Sequence, residues 1–136
     1  FIIILSSLDF KIIKIIKSGI NDIIYRSSFI VSIPENKIKN INNQLETNKI
    51  SPNDISKFWL HQANSRMVNL IVSKIIGTDD FDTNLAPLPI EKFGNLASAG
   101  SMFAFNLHNE LEKGEKGIIC SFGAGYSVCS IIVEKV

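Results

Sequence analysis

A mixed α/β layer structure is the fold class the sequence predicts, and three observations predict it. The run "FWL" at 58–60 is short, apolar and stops at a polar group, as a buried strand does. Helical periodicity follows it through Met67, Leu70, Ile71 and Ile75. The closing stretch "GIICSFGAGYSVCSIIVEKV" reads as two strands around a glycine turn. Strand, polar turn and helix in succession commonly present side chains at the edge of an α/β sheet.

The composition sets the frame for these elements. A chain of 136 residues buries roughly two thirds of its unfolded surface around one core. With 46% hydrophobic and 20% charged residues and a formal net charge of +1, it is globular, and neither nucleic acid nor an acidic surface is implied as partner. The apolar stretch "FIIILSSLDFKIIKIIKSGI" is broken by Asp9, Lys11, Lys14 and Lys17, so it falls short of the ~20 apolar residues of a membrane-spanning helix. Its charges follow the apolar run and no small-residue cleavage site is evident, which argues against a secretory signal. Cys120 and Cys129 are too few for a disulfide framework and lack the CxxC spacing of a zinc site or redox motif, so a reducing, cytoplasmic setting is expected, with no metal. The chain begins at Phe1 without a methionine, which suggests a fragment whose true N-terminus lies elsewhere.

In chain order, Lys11, Lys14 and Lys17 lie three apart among isoleucines, which predicts an amphipathic helix whose basic face is solvated rather than bound to a membrane surface. Pro34 suits the first turn of a helix that buries Ile38, Ile41 and Leu45 and ends near Asn48. "SPNDI" is a start signal, with Ser51 as N-cap, Pro52 at the first position and Asp54 three after the cap. The turn it opens must be short, because the strand 58–60 follows and leaves His61 at its carboxyl end. The helix after Asn64 stops at Gly77. From Asp79 to Glu91 the chain is polar and punctuated by proline, a connection with a short strand expected near Leu88. Gly94 predicts a tight turn, and the small residues Ala97 to Ser101 allow close packing of a helix that carries Met102, Phe103, Phe105, Leu107 and Leu111 and should end at Gly114. The final hairpin turns through Gly123, Ala124 and Gly125, and its second strand alternates through Tyr126, Val128, Ser130 and Ile132, placing Cys120 and Cys129 where they could face each other.

The chemistry concentrates in "HQAN" at 61–64. An imidazole at the mouth of a strand can donate a hydrogen bond to a substrate oxygen or accept a proton. Asn95, behind a turn glycine, offers a second donor without a titratable charge, and two neutral donors aimed at one point make an oxyanion hole. Other candidates are weaker. Ser98 lies in "LASAG", which lacks the first glycine of a nucleophile elbow, and Gly123 to Gly125 match no phosphate-cradling pattern. His108 reads as solvated, and the two cysteines read as packing residues with no activating neighbour.

"HQAN" at 61–64, "FGNLASAG" at 93–100 and "SFGAGYSVCSIIVEKV" at 121–136 resemble, in order and spacing, the C-terminal half of β-ketoacyl-(acyl carrier protein) synthase III. "LETNKISPNDISKFWLHQAN" is similar to the lead-in to that family's active-site histidine, and the resemblance covers roughly Val31 to Val136. Residues 1–30 stay unplaced, as an N-terminal segment of the same domain, and residues 31–136 are the C-terminal domain. The resemblance implies a thiolase-like fold in which two similar α/β halves pack as five layers, and a homodimer. It also implies a decarboxylative condensation of an acyl-CoA with malonyl-(acyl carrier protein), through a cysteine carried by the other half. On the family pattern His61 and Asn95 hydrogen-bond the malonyl thioester oxygen. The backbone N–H of Ala124 helps form the oxyanion hole for the acyl thioester. Asn64 and Arg66 lie at the entrance used by coenzyme A and the carrier's phosphopantetheine. No cofactor is implied, since coenzyme A thioesters and the acyl carrier protein's pantetheine arm are substrates.

The sequence departs from the family where Tyr-Gly-Asn-Thr-Ser is more usual than Phe93 to Ala97, and where three consecutive glycines are more usual than Gly123, Ala124 and Gly125. Leu96 and Ala124 add bulk, which leaves acyl chain length, and primary as opposed to specialised metabolism, open. A related acyltransferase making an ester or amide, and a non-catalytic carrier-binding relic, are the alternatives.

Overall fold

The computed structural model describes residues 10–18, 33–123 and 128–136. Its four strands, β1 (Phe10–Ser18), β2 (Ile55–Leu60), β3 (Lys116–Phe122) and β4 (Val128–Lys135), form one mixed sheet in the order β1-β4-β3-β2. β3 and β4 are the predicted hairpin and pair antiparallel, whereas β2 and β3 run parallel. A parallel pair needs a crossover, which the chain makes through α2 (Ser65–Ile76), the short α3 (Ile90–Phe93) and α4 (Gly100–Leu107). The remaining helix, α1 (Ile33–Asn48), precedes β2.

Both faces of the sheet are covered, and the period-two alternation of the strands sorts side chains between them. Phe58, Leu60, Ile118, Cys120, Val128 and Ile132 face α1 and α2, where Ile41, Leu45, Val68, Ile71, Val72 and Ile75 complete one core. Trp59, Ile119, Ile131 and Val133 face the other way, onto Ala104 and Phe105 of α4 and onto Leu111. The helix–sheet–helix sandwich of an α/β fold follows from that alternation.

Local chemistry sets the element ends as the sequence predicts at several points. Ser51 and Asp54 form a reciprocal capping box around the single 3₁₀ turn Pro52–Asp54. α2 is capped by Asn64, whose Oδ1 accepts the Met67 N–H at 2.8 Å, and stops at Gly77 in the left-handed region at φ 80. Leu70 lies off the buried stripe of that helix and is 43% exposed.

Elsewhere the structure corrects the sequence reading. Residues 10–18 form a strand that pairs antiparallel with β4, with a register shift between Ile12 and Lys14, and not a basic amphipathic helix. β-Branched isoleucines favour a pleated strand, and lysines suit a strand at the end of a sheet. No strand forms near Leu88 among the described residues; a 3₁₀ turn at Thr83–Leu85 and the short α3 occupy the connection. α4 ends at Leu107, short of Gly114. There the His108 carbonyl accepts the Trp59 indole N–H at 2.7 Å, a tertiary bond at the helix end that local sequence does not display. Cys120 pairs in register with Ser130, and Cys129 with Ser121, so the two thiols point to opposite faces and do not meet.

Trp59 shows how tightly the second core is specified. Its indole stands edge-on to Phe105 at 4.9 Å and lies against the backbone of Gly117, where an added Cβ would collide with the ring. Gly117→Ala should therefore force Trp59 from its place and cost about 1–3 kcal/mol. Urea unfolding followed by indole fluorescence measures this, and an unchanged midpoint would contradict the packing.

Candidate active site

The polar cluster forms where β2 and β3 end together. The His61 N–H donates to the Cys120 carbonyl at 2.8 Å and carries the parallel pairing one residue beyond β2, so the imidazole leaves the sheet from fixed backbone. The histidine is only 8% exposed. Its ring lies 4.4 Å from that of Phe122, tilted by 44°, and its buried Nδ1 has no hydrogen-bond partner among the described residues. Burial holds its pKa below the usual imidazole value, helped by the positive charge of Lys37.

Gln62 fixes the loop beside it. This buried amide donates to the Leu60 carbonyl at 2.9 Å and the Pro87 carbonyl at 3.3 Å, and accepts the Ile90 N–H at 3.3 Å. It thus ties the strand end to the connection that leads into α3. Gly100 at the start of α4 backs onto it so closely that a Cβ there would lie 3.0 Å from Gln62 Cβ. The small residues predicted to permit close approach do so here.

The segment bearing Asn95 is brought to the same end of the sheet. The Ser121 hydroxyl, one residue before the end of β3, donates to the Ser98 carbonyl at 3.2 Å. Asn95 Oδ1 accepts the Ala97 N–H at 2.8 Å, which orients the amide and leaves its NH₂ group to donate. Ala97 has φ 51, a left-handed conformation that a non-glycine residue holds only when its surroundings dictate it. Within this chain Asn95 is exposed whereas His61 is buried.

The other predicted site residues have varied surroundings. Asn64 uses its carboxamide oxygen as the cap of α2. Arg66 is exposed on the first turn of that helix. Ala124 lies outside the described residues. Among the described residues no group of three or more His, Cys, Asp or Glu could hold a metal ion.

Lys37 is the residue the sequence reading missed. It sits on α1 at 3% exposure, with Nζ 3.4 Å from the centroid of the Phe122 ring and 3.7 Å from Met67 Sδ. Lys37, Asn40 and Gln44 are all buried, on the same side of α1 as Ile41 and Leu45, and Asn40 and Gln44 bind the Ser130 hydroxyl at 2.6 and 2.8 Å. A polar stripe at helical spacing beside an apolar one was the available signal. Burial lowers the Lys37 pKa to about 8, and burial pushes the Cys120 thiol up to about 12.

A mixed sheet covered on both faces by helices in this order is a thiolase-like fold. Peroxisomal 3-ketoacyl-CoA thiolase of Saccharomyces cerevisiae, a five-layered structure of two core domains of identical topology, superposes with a TM-score of 0.65 at 18% identity, over 93% of this chain and 34% of that one. The synthase III of Aquifex aeolicus does so with a TM-score of 0.62 at 17% identity, over 74% and 32%. The family model described as 3-oxoacyl-[acyl-carrier-protein] synthase III C terminal matches residues 45–135, and the chain belongs to that family. Among curated relatives, the β-ketodecanoyl-[acyl-carrier-protein] synthase of Pseudomonas aeruginosa is 41% identical over 96 residues, which is 70% of this chain and 27% of the relative. The β-ketoacyl-[acyl-carrier-protein] synthase III 2 of Lactiplantibacillus plantarum is 32% identical over 89 residues, 63% and 26% respectively. The chain thus spans about a quarter of the length of the curated relatives it matches.

The buried cation and thiol give stability a pH signature. The folded Lys37 loses its proton near pH 8 and the unfolded one near 10.5, so the unfolded state binds more protons in between and stability rises with pH there. Cys120 acts in the opposite sense, because the unfolded thiol ionises from its ordinary 9.0 while the folded one holds its proton to about 12. Stability should climb from pH 8 to 9 and flatten between 9 and 10.5, where the two effects oppose each other. Urea midpoints across that range test this, and a fall between pH 8 and 9 would contradict it.

Proposed function

We propose that this chain is the C-terminal half of a condensing enzyme that joins an acyl group from an acyl-CoA to malonyl-(acyl carrier protein) by decarboxylative Claisen condensation, in fatty-acid or related biosynthesis. The observation that carries the reading is the His61 imidazole, buried at the common end of β2 and β3, where burial holds its pKa below the usual imidazole value. It stands within a family whose curated relatives are named as synthases acting on acyl-carrier-protein substrates. Residues 31–136 constitute the domain, to which residues 1–30 contribute an N-terminal segment.

In this reading the malonyl thioester oxygen lies between His61 and Asn95. The bond from the α-carbon to the carboxylate breaks, carbon dioxide leaves, and the electron pair passes into an enolate whose oxygen both groups hydrogen-bond. The enolate carbon then attacks an acyl thioester held on a cysteine of the other half of the enzyme, forming the carbon–carbon bond and expelling the cysteine thiolate. The backbone N–H of Ala124 assists at that second oxyanion. Neutral donors suffice only where water is excluded. Asn95 is exposed in this chain, so its shielding must come from other parts of the enzyme. Arg66, exposed beside the cap residue Asn64, suits a phosphate-bearing coenzyme A or pantetheine arm at the entrance. The substrates carry the reactive groups, so no cofactor is required. The working enzyme is a cytoplasmic homodimer in this proposal; among the described residues no helix is long and apolar enough to cross a membrane.

His61→Ala or Asn95→Ala in the complete protein should slow carbon dioxide release from a malonyl thioester by about 10²–10³. Near-normal release by either variant would remove that residue from the mechanism. Acyl transfer to an alcohol or amine by the unmodified protein, without carbon dioxide release, would identify a related acyltransferase instead.

A further inference from the structure

Lys37 presents a problem that the proposed reaction does not use. A buried ammonium is costly unless paired, and neither the ion pair of Lys57 with Glu110 nor that of Lys116 with Glu134 involves it. Its contacts are the face of Phe122 and the thioether of Met67. A side chain needed only to fill this space would be served better by leucine or methionine, with no charge to desolvate.

What the charge shares with the imidazole is the Phe122 ring. Lys37 Nζ lies 3.4 Å from the Phe122 ring centroid, and the same ring lies 4.4 Å from that of His61. Cation, aromatic ring and imidazole therefore form one contiguous group joining α1, the end of β3 and the end of β2. No carboxylate or carbonyl among the described residues accepts from His61 Nδ1, so nothing there favours a second ring proton. From the elements packed around it, β3 contributes the buried Cys120 thiol, which stays protonated up to about pH 12, and α2 contributes Arg66, which is exposed. Lys37 is the buried charge.

We propose that Lys37 is a positioning residue whose ammonium, seated on Phe122, keeps His61 uncharged so that the imidazole can donate a hydrogen bond to an enolate without protonating it. The chemical purpose rests on the function proposed above; the electrostatic coupling does not. An imidazolium beside a newly formed enolate is acidic enough to deliver its proton to the α-carbon, which yields a simple acyl thioester and ends the reaction before a carbon–carbon bond forms. A neutral imidazole N–H is far too weak an acid for that, yet it still stabilises the oxyanion. Burial disfavours the imidazolium first, and the Lys37 charge adds to it.

The test is a titration of the His61 ring nitrogens by long-range ¹H–¹⁵N NMR in the full chain, for the unmodified protein, Lys37→Met and Lys37→Arg. Lys37→Met should raise the His61 midpoint toward the ordinary imidazole value, and Lys37→Arg, which keeps the charge, should leave it in place. An unchanged midpoint in Lys37→Met, or an equal rise in both variants, would overturn the proposal. Should Lys37→Met not fold, the unmodified chain decides: with ¹³C-labelled lysine, the Lys37 ε-carbon should titrate with a midpoint of about 8, and the Phe122 and His61 ring signals should show a second, smaller step at that same midpoint besides the imidazole's own lower one. Absence of that second step would overturn it. In the complete protein, Lys37→Met should increase the share of malonyl thioester that decarboxylates without condensing, more so as pH falls, with Lys37→Arg restoring the partition. A coupling seen by NMR with an unaltered partition overturns the chemical role. Absence of any decarboxylation by the unmodified protein counts against the proposed function and leaves the coupling to be decided by the titration.

Discussion

The hydrogen bond from the His61 backbone to the Cys120 carbonyl, 2.8 Å long, extends the parallel ladder of β2 and β3 by one residue, and the geometry of the polar cluster follows from it. A ladder residue cannot slide without shifting the strand, and β2 cannot shift because Phe58, Trp59 and Leu60 are fully buried on alternating faces. The histidine is thereby attached to the most constrained part of the molecule. Gln62 then bonds outward to both Pro87 and Ile90, and Gly100 packs on its back, so the long crossover is fastened to the strand end at two places. Ser121 fastens the 95–99 turn to the neighbouring strand. Preorganisation of this kind is what electrostatic catalysis needs, since donors fixed before the reaction have no reorganisation left to undergo during it.

The same arrangement accounts for the charges near the site. Burial penalises charged forms, and it acts alike on Lys37, His61 and Cys120: the ammonium and imidazolium lose their protons more readily and the thiol holds its own. Of the three, Lys37 keeps its charge at neutral pH, while His61 and Cys120 are neutral. Two basic groups that touch one ring compete for charge, and the lysine, being the more basic, takes it. The aromatic face of Phe122 lies beside both, offering the ammonium a partner that carries no proton to exchange.

Much of this was legible in the residues. Strand β2 announced itself as a short apolar run ending at a polar group, and α2 carried its own start and stop signals in Asn64 and Gly77. The Ser51 to Asp54 box and the need for small residues around Gly100 were equally local matters. What could not be read depended on partners distant in sequence. Lysines every third residue gave 10–18 a helical spacing, yet pairing along β4 made it a strand. α4 stops early because an indole far away in the chain bonds to His108. The one-residue offset of Cys120 and Cys129 is set by the hairpin register, which the sequence left open between neighbouring alternatives. The burial of Lys37 depends on Phe122 and Met67, and the polar stripe it shares with Asn40 and Gln44 does not by itself show that those partners cover it. The motifs of the site were visible as chemistry, whereas the electrostatic setting of its histidine required the fold.

The proposed reaction requires two neutral donors, His61 and Asn95, to address one oxygen. The most direct measurement is a crystal structure of the complete protein with a malonyl thioester analogue that cannot lose its carboxylate. The account predicts the thioester oxygen within about 2.7–3.1 Å of both the His61 ring nitrogen Nε2 and the Asn95 amide nitrogen. An analogue bound with that oxygen directed away from either group would contradict it.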